Sequence, residues 1–241
     1  LLFFTDMVMS QSQEDVDRMS KNPLVNTSKL NVIHNGIDTE KFSIKNISPP
    51  NIKLAGFVVC TIGRIAKEKG LMDLLEAFSM FARQESNSTL LLIGGVLHKE
   101  QDQVFVDFMK LADELNIKDK IHITGLVDNV EDYLSLADVY IHPSYREGVP
   151  RSVLEAMSMK KVVVATRIRG AKEIIESGKN GILYTKGSVE ELSKILEEVH
   201  FMADEEKQMI TKMARERVLD QYTEASYVDR QIKLLNSLAY N

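Results

Sequence analysis

The 241-residue sequence is nearly free of cysteine: Cys60 is the single thiol, set in the apolar run Phe57-Val58-Val59-Cys60. A disulfide framework within one chain is thereby excluded, and Cys60 reads as a small buried hydrophobe in a strand. No apolar run approaches the roughly 20 residues of a membrane helix, so no transmembrane segment is expected. Leu1 to Met9 is apolar but short and broken by Asp6, without a basic leader or small-residue cleavage pattern, and does not read as a signal peptide. Positive charge is not in excess: 30 Lys and Arg stand against 35 Asp and Glu, a net charge of −5. Without a net positive field, nucleic-acid binding is not expected. The five histidines, at 34, 98, 122, 142 and 200, lack HxxxH and HExxH spacing, and no protein metal site is expected. GxxxxGK[ST] and GxGxxG are absent, which removes the P-loop and the dinucleotide fingerprint. An initiator Met is also absent: the chain opens Leu1-Leu2, and a fragment or processed product is expected.

What is present is ordinary globular composition, 44% hydrophobic and 27% charged, enough for one large domain or one domain plus a fragment. Short apolar runs alternate with segments of helical period. Strands are expected at 7–9, 31–33, 57–62, 89–93, 120–123, 139–141, 161–165 and 182–184. Most are brief, β-branched and apolar throughout, as strands covered on both faces are. Leu71, Leu74, Leu75, Phe78 and Phe81 form one apolar helical stripe, and Val104, Phe108, Leu111 and Leu115 another. A short helix follows Pro150, Ser188 and Glu191 suggest a capping box, and two helices (about 204–220 and 224–239) end the chain. This alternation predicts an α/β fold, a doubly wound parallel sheet of Rossmann-like type. Residues 1–34 read as strand, helix and strand, too few for a domain. Residues 35–50 read as a linker carrying Pro49-Pro50, 51–222 as the compact domain, and 223–241 as a final crossing helix.

In an open parallel sheet, ligands bind beyond the carboxyl ends of the strands. After the strand ending at Ile62 comes Gly63-Arg64-Ile65-Ala66-Lys67-Glu68-Lys69-Gly70, three cations in a Gly-bounded loop before a helix. Such a loop suits a phosphate, and equally a solvated charged surface. Gly94 and Gly125 follow two further strands and allow close backbone approach. The densest segment runs from His142 to Met157. In it Glu147 lies in a loop and Glu155 in the second turn of the following helix. Both carboxylates face the space above the sheet, and each can accept from a pair of sugar hydroxyls. The amides of Gly148 and Val149 suit phosphate oxygens. Taken singly, each carboxylate is more often an ordinary surface or helix charge; taken together with the basic loop, they favour binding.

This segment resembles the E-x7-E motif of retaining glycosyltransferases of family 4, which have the GT-B fold. Val32-Ile33-His34-Asn35-Gly36-Ile37-Asp38 is similar to that family's interdomain junction, Gly63-Arg64 through Lys69-Gly70 to its "G-R-[LI]-x(3)-K-G", and Ala137-Asp138-Val139 with His142-Pro143-Ser144 to its "A-D-[VIL]…P-S". Thr5-Asp6-Met7-Val8-Met9-Ser10 resembles the end of its acceptor domain. The sequence departs from the pattern at Val149-Pro150 and at Arg169-Gly170-Ala171-Lys172-Glu173, where the family's "G-G-x-x-E" is common.

The resemblance implies that the chain is the C-terminal, donor-binding half of a GT-B fold behind a remnant of the acceptor domain. It implies transfer, with retention, of a hexosyl or N-acetylhexosaminyl group from a nucleotide-diphospho-sugar, UDP favoured over GDP, to a polysaccharide or lipid-linked acceptor. Arg64, Lys69 and Glu147 would be the catalytic set, the cations on the diphosphate and Glu147 on the sugar. Gly63, Gly94, Gly125, Val127, Gly148, Val149, Leu154 and Glu155 would bind the donor, with Glu155 on the ribose and Val127 near the base. His142 and Tyr145 would line the pocket. The resemblance implies no metal or other cofactor, a cytoplasmic location at or near the inner face of the membrane, and peripheral membrane association of the intact enzyme as an open option. A non-catalytic nucleotide-sugar-binding module and a related sugar-nucleotide epimerase stand as alternatives. An isolated donor half is expected to bind donor without efficient transfer, and its last helix to expose an apolar face.

Overall fold

A computed structural model describes residues 5–96 and 103–239. Six parallel strands form the main sheet: β3 (Phe57–Arg64), β4 (Ser88–Gly95), β5 (Ile121–Ile123), β6 (Val139–His142), β7 (Val162–Thr166) and β8 (Ile182–Tyr184). Their spatial order is β5-β4-β3-β6-β7-β8. The chain winds outward from β3 in one direction, returns, and winds outward from β6 in the other. This is the doubly wound Rossmann-like order expected from the sequence, with its topological switch between β3 and β6.

The period of two in the strands sorts their side chains between the two faces. Val58 and Cys60 on β3, Leu91 and Ile93 on β4, Tyr140 on β6 and Val163 and Ala165 on β7 join one core. That core is covered by α5 (Arg151–Ser158), α6 (Arg169–Ile174) and α8 (Asp204–Gln221). Phe57, Val59, Leu90, Leu92, Val139, Ile141, Val162 and Val164 join the opposite core, covered by α2 (Leu71–Gln84), α3 (Gln103–Glu114) and α7 (Val189–Phe201). On α2 the stripe Leu74, Leu75, Phe78 and Phe81 is almost wholly buried, each side chain contributing about 2 kcal/mol of burial. A short helix, α4 (Val130–Ser135), connects β5 to β6. Cys60 is fully buried, and burial pushes its thiol pKa up, so it is inert.

The capping box at α7 does not form. Ser188 occupies the N-cap without a side-chain bond, and the Glu191 carboxylate accepts from the Thr185 N–H (2.9 Å) instead. The preceding turn takes the acceptor that the capping box would have used.

The N-terminal residues form a separate parallel pair, β1 (Val8–Ser10) and β2 (Leu30–Val32), with α1 (Gln13–Ser20) between them. Residues 35–50 run along the domain: Phe42 is buried in the core and Ser158 Oγ donates to its carbonyl (2.7 Å). Ile37 crosses Thr223 in a bridge that leads into α9 (Glu224–Ala239). Val228, Ile232, Leu235 and Leu238 form an exposed apolar stripe on α9, as expected. Among the described residues no helix is long and apolar enough to cross a membrane.

Candidate functional site

The strand ends at the switch point form the floor. Gly63 and Gly94 are register partners at the ends of β3 and β4, and a Cβ on Gly94 would lie 2.2 Å from the Gly63 carbonyl oxygen. Only glycine permits that approach, at a φ of +128°. Gly125 continues the edge through a bridge to Gly94. Glycine backbone thus lies at or next to the ends of three adjacent strands.

Two loops meet above this floor. Arg64 to Gly70 leads from β3 into α2, and Pro143 to Pro150 leads from β6 into α5. The Tyr145 N–H donates to the Glu68 carbonyl (2.9 Å), tying one loop to the other. Gly70 makes the approach possible: its φ is +63°, and a Cβ there would lie 2.1 Å from the Pro143 carbonyl oxygen. Tyr145 Oη donates to Asp73 (2.7 Å) on α2, and its pKa is pushed up to about 12 by burial and by that carboxylate.

The result is a direct contact between the two halves of the predicted catalytic set. Lys69 Nζ lies 2.5 Å from Glu147 Oε1, both side chains about a quarter exposed. Ser144 Oγ also faces that oxygen, at 3.4 Å. Arg64 extends outward, two-thirds exposed, its guanidinium 3.6 Å from Glu68. The site therefore holds an ion pair with one further cation at its rim.

Behind the loop, α5 begins at Arg151 with Pro150 as its N-cap. Among the described residues no hydrogen bond engages the N–H of Gly148 or Val149. Two donors at a helix entry are thus available to an acceptor. Glu155 sits half-buried on the second turn. Burial raises its pKa, against the opposing pull of Arg151 and Lys41. Lys41 lies 3.5 Å from Glu131, whose Oε2 is buried without a hydrogen-bond partner.

The remaining predicted residues divide. The Val149 and Leu154 side chains are in the core, which leaves Val149 its backbone to offer a ligand. Val127 lies at the core's margin beyond β5. His142 is buried at the end of β6, and burial lowers its pKa to about 4. Tyr140 Oη lies 3.4 Å from its Nδ1, and its Nε2 is unpartnered. His98 lies outside the described residues. Among those described, no group of three or more His, Cys, Asp or Glu side chains could hold a metal ion. Asp73, Lys41 and Glu131 were not apparent from sequence. Only the fold brings them to the site, and no local pattern marks them.

The family description "Glycosyl transferases group 1" matches residues 43–217, nearly three-quarters of the chain and every site residue expected from the sequence. The chain belongs to the glycosyl transferases group 1 family. It is 26% identical over 206 residues to the capsular polysaccharide biosynthesis glycosyltransferase CapM of Staphylococcus aureus, covering 82% of this chain and 53% of CapM. To the lipopolysaccharide core biosynthesis glycosyltransferase LpsE of Rhizobium meliloti it is 26% identical over 181 residues, covering 75% of this chain and 50% of LpsE. The chain thus spans about half the length of these relatives. A crystal structure of Anabaena HepE in complex with UDP and glucose superposes with a TM-score of 0.86 at 23% identity, over 98% of this chain and 64% of that one. The doubly wound sheet of this group 1 chain is therefore the fold of solved glycosyltransferases of GT-B type.

Proposed function

We propose that this chain is the donor-binding part of a retaining glycosyltransferase of family 4 that uses a UDP-sugar. The observation that carries the reading is the convergence at the switch point of the Lys69–Glu147 pair, Arg64 at its rim and the unengaged amides of Gly148 and Val149. One ligand satisfies all of them: a diphosphate for the cations and amides, and a sugar whose hydroxyls donate to Glu147.

Lys69 and Arg64 hold the diphosphate and stabilise the negative charge that grows on it as the glycosidic bond breaks. Such preorganised charge is usually the largest catalytic term. Glu147, relieved of Lys69, accepts sugar hydroxyls and fixes the ring over the diphosphate. Glu155 accepts the two ribose hydroxyls, and Val127 lies toward the base. The chain holds the donor without a metal, because two cations and two amides meet its charge. An acceptor hydroxyl then attacks the sugar's C1 from the face that the diphosphate leaves, which retains configuration, and its proton passes to the departing diphosphate oxygen. The acceptor is a polysaccharide or lipid-linked saccharide, and it approaches from the acceptor domain. The names of CapM and LpsE support that acceptor class, and the UDP and glucose bound by HepE support the donor class.

Calorimetry tests this reading. The 241-residue chain is expected to bind UDP and a UDP-sugar more tightly than GDP or ADP. Lys69→Ala is expected to weaken UDP by about tenfold or more, the loss of one charge-assisted phosphate contact. A folded chain that binds no nucleotide refutes the proposal.

A further inference from the structure

Polar contacts centred on one carboxylate tie the N-terminal β1–α1–β2 unit to the main domain. Glu173, on α6, accepts from three donors at the start of α1. Ser12 Oγ donates to its Oε1, the Gln13 N–H to its Oε2 (3.0 Å) and the Glu14 N–H to its Oε1 (3.2 Å). Ser12 is fully buried. Two ion pairs flank this cap, Arg169 with Asp15, and Lys172 with Glu14 (3.4 Å). In both flanking pairs the cation lies on α6 and the anion on α1. No α1 residue is buried, so polar contacts rather than core packing hold this helix in place.

The same helix α6 presses on the donor loop. A Cβ on Gly170 would lie 1.3 Å from the Gly148 carbonyl oxygen, so the two backbones are in direct contact. From the other side, Asn35 Nδ2 donates to the Val149 carbonyl (2.8 Å) and reaches Gln11 Oε1 (3.4 Å). Gly148 and Val149 are thus gripped between α6 and residues 11 and 35. The α6 grip belongs to the main domain, whose core buries Ala171 and Ile174, whereas the second grip runs through Gln11 and Asn35, next to the cap of α1.

We propose that Glu173 is a positioning residue: by capping α1 it seats the N-terminal unit, and that unit holds the Gly148–Val149 amides in place for the donor. This role rests on the donor-binding reading above. Glu173 lies outside the site and touches no donor group. Its carboxylate is a good cap because all three partners are donors. Glutamine at 173 keeps the shape but offers an NH2 to one of them, leaving two like donors facing each other.

Glu173→Gln in the full 241-residue chain tests this by hydrogen exchange and by amide NMR. Exchange at residues 12–16 is expected to rise by about tenfold, since charge-assisted caps are lost and local opening is favoured, and the amide resonances of Gly148 and Val149, which no hydrogen bond protects from exchange, are expected to shift and broaden. Exchange in β3 and β4 is expected to stay unchanged, as is the thermal midpoint, which separates a local effect from misfolding. UDP is expected to bind about three- to tenfold more weakly, in step with the loop. Asn35→Ala cuts the second grip and is expected to shift the Gly148 and Val149 amide resonances without speeding exchange at 12–16. Faster exchange at 12–16 with the Gly148 and Val149 resonances unmoved overturns the coupling, and no change at either overturns the cap. If the exchange pattern appears but the wild-type chain binds no UDP, the donor reading fails and with it the role in donor binding, while the mechanical link stands on its own.

Discussion

Glutamine in place of Glu155 separates binding from folding in one substitution. Glu155 is half-buried on α5, and burial lifts its pKa above the ordinary 4.5 even with Arg151 and Lys41 nearby. An acid whose folded pKa is raised binds its proton more readily in the native state than in the unfolded one. Ionising it therefore costs stability. That cost is absent well below pH 4.5, grows as pH rises through the folded pKa, and is complete above it. Glu155→Gln removes the cost, so the variant is expected to be more stable than the parent at about pH 7.5 and equal to it at about pH 4. Binding moves the other way. A carboxylate accepts both ribose hydroxyls, whereas an amide offers one oxygen and turns two N–H groups toward the second hydroxyl. Losing one charge-assisted bond costs about 2 kcal/mol, roughly thirtyfold in Kd. Urea unfolding at both pH values and calorimetry with UDP read the two effects. A Gln variant that binds UDP as the parent does refutes the ribose role. One that is less stable at neutral pH refutes the burial argument and makes the Arg151 and Lys41 charges dominant.

Three further outcomes are expected. Glu147→Gln frees Lys69 for the diphosphate, so UDP is expected to bind at least as tightly as to the parent while a UDP-sugar loses its advantage over UDP; comparative calorimetry of the two ligands decides this. Gly70→Ala combines a left-handed backbone with a Cβ 2.1 Å from the Pro143 carbonyl oxygen and is expected to cost about 2–3 kcal/mol in urea unfolding. An unchanged midpoint would show that the two loops do not need their close approach. His142, ordinarily near 6.5, is held at about 4, so its native state refuses a proton that the unfolded chain accepts. Stability is then lost as pH falls from about 6.5 to about 4, by about 3 kcal/mol in all, and His142→Asn is expected to flatten that limb of the pH–stability curve.

The main sheet was legible because its strands are covered on both faces. An apolar, β-branched run such as Phe57 to Ile62 has few other places to lie, and parity then divides Phe57 and Val59 from Val58 and Cys60. The helices with a full apolar stripe were legible for the same reason. The two six-residue helices, α4 and α6, were not, because they are too short to establish a period. Nor was the cap of α1. Ser12 is its N-cap, and the carboxylate to which its hydroxyl donates comes from 161 residues away.

The candidate site was legible as a set of strand ends and illegible as a set of contacts, and the difference has chemical content. Lys69 and Glu147 are 78 residues apart, and nothing local to either suggests the other. They meet because β3 and β6 are neighbours at the switch and because Gly70 lets the loops touch. The meeting defines what a good ligand must do. Breaking a partly buried ion pair is unfavourable if either charge is left alone. A bare diphosphate replaces Glu147 at the ammonium and strands the carboxylate. A free sugar satisfies the carboxylate and strands the ammonium. On the proposed donor reading, a molecule carrying a diphosphate and vicinal hydroxyls a few ångströms apart satisfies both at full strength, so the pair is expected to favour an intact sugar nucleotide over either of its parts, and entry of the donor over retention of the nucleotide once the sugar has gone.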